Sequence, residues 1–118
     1  MKILVCDDRN WVKRGIIKRV ISQSGATVII HGDCWGADRI AGEIASSMGL
    51  EVRAFPADWA KFGKAAGPSR NKLMLLEKPD RVIAFHDDIE NSKGTKHMVS
   101  SARKAGIPVS IISGKERE

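Results

Sequence analysis

Short apolar runs alternate with longer amphipathic segments along the whole of this 118-residue chain. The apolar runs are rich in β-branched residues and are bordered by turn-forming residues, which is typical of buried strands. Between these runs, apolar side chains recur three and four residues apart, the spacing of a helix that packs on a sheet. Strands are predicted at Lys2–Cys6, Thr27–His31, Glu51–Phe55, Arg81–Phe85 and Pro108–Ile112.

Helices are predicted in four of the intervening segments. In the first, Val12, Ile16 and Val20 recur at intervals of four residues. The third opens with a proline, whose missing N–H is not needed in a first helical turn. The predicted ranges are about Asn10–Ser24, Ala37–Met48, Pro68–Glu77 and Gly94–Ala105, and Pro56–Gly67 is predicted to be less regular. The apolar face of the second helix is formed by Ala37, Ile40, Ala41, Ile44, Ala45 and Met48.

Strands that alternate with helices through short loops predict a parallel sheet with helices on both faces. We therefore expect an α/β, three-layer, Rossmann-like fold whose five-stranded parallel sheet has the order 3-2-1-4-5. Residues 1–113 are expected to form a single domain, and residues 114–118 a frayed tail. Open sheets of this kind bind ligands outside the carboxyl ends of their strands. Loops at that edge hold charges of both signs, among them Asp7, Asp8, Arg9, Asp33, Asp38, Asp87, Asp88 and Lys93.

The charge and the aromatic content of the chain bear on whether it binds nucleic acid. The formal charge of +6 suggests nucleic acid, but the basic residues are spread over several elements. Aromatic residues make up only 5% and include no tyrosine, so a stacking surface for single strands is poorly supplied. Nucleic acid is therefore a less favoured partner. No apolar run approaches the length of a membrane span, and the cytoplasm is the expected compartment. Cys6 and Cys34 are each expected just past a strand, as reduced thiols.

A glycine-bearing turn between the second strand and the second helix is the first candidate site. Such a turn leaves backbone N–H groups free at a helix N-terminus, which favours a phosphate or a ribose. Gly32 and Gly36 would let the backbone approach a ligand, or would only supply a positive φ. Asp38 would accept hydrogen bonds from ribose hydroxyls, or would only complement the helix dipole. Asp33 is better explained as a capping group than as a catalyst.

Two further helix N-termini carry candidate ligand-binding residues. Arg70 lies near the start of its helix, where a cation is unfavourable unless it faces an anion such as a phosphate. Asn71 beside it would read a base edge or cap a turn. Gly94 and Thr95 open the last helix with free N–H groups and a hydroxyl, and Lys93 adds charge there. An ordinary threonine-initiated helix is the alternative explanation.

The remaining candidates are aromatic or lie in the first loop. Arg9 would close over a ligand, or would pair with the neighbouring carboxylates. Trp35 would stack on a base or anchor its loop, whereas Trp59 is expected to anchor a loop against the core. No metal-ligand spacing and no nucleophile motif is present, so no protein metal site is predicted. A divalent cation that accompanies nucleotide phosphates is the one cofactor that the predicted ligand would bring.

Three segments together carry a resemblance to a known family. They are His31–Asp38, Pro56–Trp59 with Gly63–Met74, and Gly94-Thr95 before a helix. In this order and spacing the chain resembles the YspA, or cpYpsA-related, branch of the SLOG superfamily, whose bacterial and phage members are Rossmann-like proteins of unassigned activity. The resemblance implies a pocket for a nucleotide or a nucleotide-derived ligand. It also implies a homodimer or higher homo-oligomer.

Other SLOG branches include phosphoribohydrolases of the LOG type, in which an R-K-x-x-M helix and a G-G-x-G-T-x-x-E loop frame the sugar. Arg70 and Met74 match the first motif, with Asn71 in place of lysine, and Gly94 and Thr95 match the second. Met98 stands where the glutamate would be, and a thioether can neither activate water nor stabilise an oxocarbenium ion.

A ligand-binding or sensor module is therefore the first hypothesis for the function. An N-glycosidic hydrolase that uses Asp38, Asp87 or Asp88 instead of the missing glutamate is the second. A nucleic-acid-binding accessory protein is the third, and its binding would fall steeply with salt.

Overall fold

The computed structural model describes residues 1–7, 11–33 and 36–113, without the side chain of Glu90. Strands and helices alternate throughout these ranges. The strands are β1 (Lys2–Asp7), β2 (Val28–His31), β3 (Glu51–Ala54), β4 (Arg81–Phe85) and β5 (Val109–Ile112). The helices are α1 (Arg14–Gln23), α2 (Ala37–Ser47), α3 (Trp59–Phe62), α4 (Ala66–Leu76) and α5 (Gly94–Lys104), with 3₁₀ turns at Gly63–Ala65 and Ile89–Asn91.

All five strands form one parallel sheet in the order β3-β2-β1-β4-β5, which confirms the predicted order. β1 lies at the centre, and its Leu4 pairs with Ile30 of β2 on one side and Val82 of β4 on the other. The point at which strand order reverses therefore lies between β1 and β4, and both strands end at the same edge.

Alternate residues of the central strand enter two separate core layers. Ile3 and Val5 pack with apolar residues of α1 and α2, whereas Leu4 and Cys6 pack with those of α4 and α5. Because successive side chains of a strand point to opposite faces, this division puts helices on both faces of the sheet. The three-layer α/β arrangement is thus confirmed.

The first helix begins later than its apolar spacing predicted. Trp11 precedes α1, is 3% exposed, and lies with its ring centroid 5.2 Å from that of Phe85. Its indole nitrogen donates to Asp87 Oδ1 at 3.1 Å. Because this side chain anchors the segment before the helix, regular hydrogen bonding starts only at Arg14. Val12, predicted on the buried face of the helix, is 60% exposed.

Three smaller predictions also differ from the structure. α2 ends at Ser47, so Met48 lies at its C-terminus and is exposed instead of packed. α4 begins at Ala66, which leaves Pro68 in the first turn as predicted. Cys6 is a buried free thiol inside β1 and not past its end, because the strand extends to Asp7. Cys34 lies outside the described residues. Within the described ranges, no helix has the length and apolarity to cross a membrane.

Candidate functional site

A cavity of about 620 Å³ opens at the carboxyl edge of the sheet. Its walls come from the ends of β1 and β4 and from the N-terminal turns of α4 and α5, two helices that pack side by side. It therefore lies at the reversal of strand order, where open parallel sheets bind their ligands. The polar residues that line it are Asp7, Asp38, Lys64, Arg70, Asn71, His86, Ser92, Lys93, Thr95 and His97.

A pair of carboxyl groups, Asp7 and Asp38, forms the inner wall. Asp7 ends β1, and its Oδ2 accepts from the backbone N–H of Asp38 at 2.9 Å. Asp38 belongs to the first turn of α2, is 3% exposed, and accepts from the N–H of Gly32 through Oδ2 at 2.9 Å. The two side chains also hydrogen bond with each other, which requires a proton between them. Among the described residues, buried Asp38 Oδ1 has no hydrogen-bond partner.

The carboxyl pair retains one proton at neutral pH. Burial, with the nearby charge of Asp38, raises the pKa of Asp7 to about 9. Burial also raises the pKa of Asp38, whereas the hydrogen bond from Asp7 and the nearby His31 and Arg70 act in the opposite direction. Asp7 therefore retains its proton at neutral pH, so the pair does not carry two negative charges.

This arrangement occupies the helix N-terminus that the sequence assigned to a phosphate. The carboxyl group of Asp7 accepts hydrogen bonds from the N–H groups of both Ala37 and Asp38 in the first turn of α2. A carboxyl group of the protein thus accepts the hydrogen bonds that an external anion would otherwise accept. Gly36, the residue before the helix, has φ 92°, a conformation that favours glycine.

Gly32 allows a close approach, but to Arg70 instead of a ligand. A Cβ atom at Gly32 would clash with Arg70 Nη1 and would lie 3.2 Å from Asp38 Oδ2. Arg70 Nη1 donates to the carbonyl of Gly32 at 2.8 Å, and Nε donates to Asn71 Oδ1 at 3.0 Å. Gly32 does not have a positive φ. The glycine therefore makes room for a guanidinium that crosses from α4 to the end of β2.

The N-terminus of α5 remains open towards the cavity. Gly94 and Thr95 form its first turn, and their backbone N–H groups donate to no residue of the described ranges. The hydroxyl of Thr95 donates to the carbonyl of Asp7 at 2.6 Å, which ties α5 to the end of β1. Exposed Lys93 precedes the helix. Free N–H groups beside a lysine favour an anion at this position.

Two histidines line the same cavity. His86 follows β4, is 7% exposed, and accepts at Nδ1 from the N–H of Asp88 at 2.9 Å. His97, in the first turns of α5, lies with Nδ1 3.1 Å from Asn71 Nδ2. A third histidine, His31, repeats the turn of His86, with Nδ1 accepting from the N–H of Asp33 at 2.9 Å. Burial lowers the pKa of His31, which lies behind the carboxyl pair.

The apolar part of the cavity consists of Met74 and Met98, both buried, and of Trp59 at the rim. Trp59 was predicted to anchor a loop against the core, and this is wrong, because the residue is 57% exposed. It belongs to α3, a single turn of helix that rests against the start of α4. An indole at the rim of a polar cavity can stack on a planar ring.

Some predicted site residues lie elsewhere. Asp33 does not cap α2 but pairs with Arg39 at 3.3 Å, because Gly36 takes the capping position. Asp87 accepts from Trp11 and from the hydroxyl of Ser113, and exposed Asp88 accepts from Asn91. These side chains do not line the cavity, nor do Gly32 and Gly36. Arg9 and Trp35 lie outside the described residues.

Several cavity residues were absent from the predicted set. Asp7 was recognised only as a loop charge, although its position directly after an apolar strand is a usable signal. His86 also follows a strand directly. Lys64 and His97 gave no signal, because only the packing of α3, α4 and α5 brings them to the cavity. Across the ranges that the structure describes, no cluster of three or more His, Cys, Asp or Glu side chains could hold a metal ion.

Comparison with known proteins adds two findings. The model of the "YspA, cpYpsA-related SLOG family" matches residues 1–62. The gene 61 protein of Mycobacterium phage D29 is 34% identical in an alignment of 118 positions that covers 92% of this chain and 93% of that protein. The matched family region contains β1, α2 and the Asp7–Asp38 pair, and the phage relative extends the similarity to nearly the whole chain.

Proposed function

The chain belongs to the YspA, cpYpsA-related SLOG family, and on that premise we propose that it binds a nucleotide or a nucleotide-derived molecule in the cavity between α4 and α5. Family membership makes it a Rossmann-like, nucleotide-related module. The observation that carries the proposal is the meeting of three different kinds of group around one cavity: a buried carboxylate, an open helix N-terminus with lysines, and an exposed indole.

Each kind of group suits one part of a nucleotide. The carboxyl group of Asp38 lines the cavity and has a buried oxygen without a hydrogen-bond partner among the described residues, to which a ribose hydroxyl can donate. The free N–H groups of Gly94 and Thr95, with Lys93 and Lys64, suit a phosphate. Trp59 offers a face on which a base stacks. This assignment keeps the predicted roles of Asp38, Thr95 and Lys93, and moves the phosphate from the α2 turn to α5.

The first test is native mass spectrometry of the purified protein with a panel of nucleotides. We expect at least one nucleotide to bind with defined stoichiometry, and Lys93→Ala to weaken its affinity by about 1.5–3 kcal/mol, the contribution of one hydrogen bond to a charged group. Lys104→Ala is the matched control, since it removes the same charge from the far end of α5. Equal losses in both variants, or no binding in the panel, would overturn the proposal.

A glycosidic-bond hydrolase is the second candidate, and the proton shared by Asp7 and Asp38 favours it. A carboxyl group that holds a proton at neutral pH can serve as the general acid in such a cleavage. Asp38 is the predicted catalytic residue that lines the cavity. Chromatography after incubation separates the candidates: a binding module leaves the nucleotide intact, whereas a hydrolase releases free base, and Asp38→Asn abolishes that release.

The same mass measurement reports on the proposed partners. A homodimer or higher oligomer appears as a multiple of the 12.9 kDa chain. A single-stranded oligonucleotide in the panel tests nucleic-acid binding, which would depend steeply on salt if the basic surface carried it.

A further inference from the structure

A continuous chain of hydrogen bonds runs along one wall of the cavity and ends at His97. It starts at the carbonyl of Gly32, which accepts from Arg70 Nη1 at 2.8 Å. Arg70 Nε donates to Asn71 Oδ1 at 3.0 Å. Asn71 Nδ2 lies 3.1 Å from His97 Nδ1. Asn71 itself is 4% exposed, so solvent does not compete for its amide.

The donors and acceptors in this chain allow a single arrangement. A guanidinium has only donors, so the Asn71 atom that faces Arg70 must be the oxygen. The amide nitrogen then faces His97 and can only donate. Nδ1 of His97 must accept this hydrogen bond, and a neutral imidazole that accepts at Nδ1 carries its hydrogen on Nε2. Arg70 thus fixes the tautomer of a histidine on another helix.

The fixed nitrogen lies at the open end of α5. His97 is exposed, lines the cavity, and follows Lys93 by one helical turn. Its Nε2 has no hydrogen-bond partner among the described residues. The neighbouring N–H groups of Gly94 and Thr95 are likewise without an acceptor in those ranges. All of these donors face the position that the proposed function gives to the phosphate.

We propose that His97 is a specificity-determining residue of the cavity, whose Nε2–H donates to a phosphate oxygen of the bound nucleotide. Asn71 is the positioning residue that keeps the hydrogen on Nε2. This inference rests on the proposed function and adds to it the atom that recognises the phosphate. A histidine without such a partner divides its time between two tautomers, and only one of them can donate from Nε2.

The tautomer is measured directly by long-range ¹H–¹⁵N correlation on the ¹⁵N-labelled imidazole rings at about pH 8, where an ordinary imidazole is neutral. We expect the His97 signals to show the Nε2–H form. In Asn71→Asp the carboxylate cannot donate, so Nδ1 must become the donor and the pattern must change. A wild-type His97 that averages between tautomers, or carries its hydrogen on Nδ1, would overturn the inference even if the variant does not fold.

Ligand recognition is measured with adenosine 5′-monophosphate and inorganic phosphate as probes. We expect both to shift the His97 Nε2 signal, and His97→Ala to weaken nucleotide affinity by about 10- to 100-fold, the usual effect of losing one hydrogen bond to a charged group. Ser100→Ala, on the exposed surface of the same helix, is the control and should leave affinity unchanged.

The outcomes separate the two proposals. Nucleotide binding that is equally tight in wild type and His97→Ala overturns the role of His97 and leaves the proposed function intact. If neither probe nor any other nucleotide binds the wild-type protein, the proposed function fails and this inference fails with it.

Discussion

Trp59 is exposed and lies at the rim of the cavity. Its contribution to ligand binding can therefore be tested separately from its contribution to stability. More than half of its surface contacts solvent, so its side chain contributes little to the core. We expect Trp59→Ala to weaken nucleotide binding by about 1–3 kcal/mol, the range for one base stacked on an aromatic side chain. The free energy of unfolding should change by less than about 0.5 kcal/mol. Isothermal titration calorimetry and thermal denaturation measure the two quantities.

Phe62→Ala is the control for Trp59. Phe62 lies on the same short helix, is 46% exposed, and does not line the cavity. Nucleotide affinity that drops equally in both variants would mean that α3 acts only as a support for the cavity, and that the indole does not stack on the base.

At the residue level, sequence patterns found candidates where the signal is local. Asp38 and Thr95 follow turn residues at helix starts, and both line the cavity. The partners of these residues could not be found in this way, because Asp7 lies 31 positions from Asp38 and 88 from Thr95. Trp59 was misassigned because tryptophan is usually buried. The sequence does not show that this residue lies on a single turn of helix with no buried residues.

Helix α2 carries a glycine, Gly42, at the point where it packs against His31 of β2. Gly42 lies inside α2, where alanine would ordinarily be more stable by about 1 kcal/mol. A Cβ atom there would, however, lie 2.7 Å from Nε2 of buried His31. The ring cannot easily retreat, because its other nitrogen already accepts from Asp33. We expect Gly42→Ala to lower the free energy of unfolding by about 1–3 kcal/mol, the usual effect of overpacking a core.

Gly15→Ala in α1 is the matched substitution, since nothing lies within 4 Å of the added carbon. It should be neutral or stabilising by up to about 1 kcal/mol. Chemical denaturation of the two variants gives the comparison, and a Gly42→Ala protein as stable as Gly15→Ala would contradict the close packing of His31 on α2.

Element order and type could be predicted almost completely, and element boundaries could not. The central strands are local apolar runs, so their positions can be predicted without knowledge of the residues that they contact. The start of α1 depends instead on the contact between Trp11 and Phe85, two residues far apart in the chain. Boundaries of this kind are decided by tertiary packing, which periodicity does not report.

The stability of the whole domain should depend on pH through the carboxyl pair. The pKa of Asp7 rises from 3.8 to about 9 on folding, so between these values the folded state binds more protons than the unfolded state. Stability must therefore fall as pH rises through this window. In Asp7→Asn the amide donates to Asp38 without titrating. We expect its melting temperature, relative to that of the wild type, to increase steadily from about pH 5 to about pH 9.

Thermal denaturation across this range measures the effect. Asp80→Asn, a neutralised carboxyl group at the opposite end of the sheet, is the control and should track the wild type at a constant offset. If the difference between Asp7→Asn and the wild type is also constant with pH, Asp7 is ionised in the folded protein and the shared proton is absent.

The hydrogen bonds from α2 to Asp7 have a consequence for the whole molecule. A carboxyl group held on the adjacent strand acts as an intramolecular competitor, whose effective concentration does not depend on how dilute the protein is. An anion that binds at the N-terminus of α2 would have to displace this carboxyl group, whereas no described residue accepts from the first N–H groups of α5. The fold therefore gives the cavity a polarity, and we expect an incoming molecule to bind with its negative end towards α5, so that its orientation is set before any other part of it is recognised.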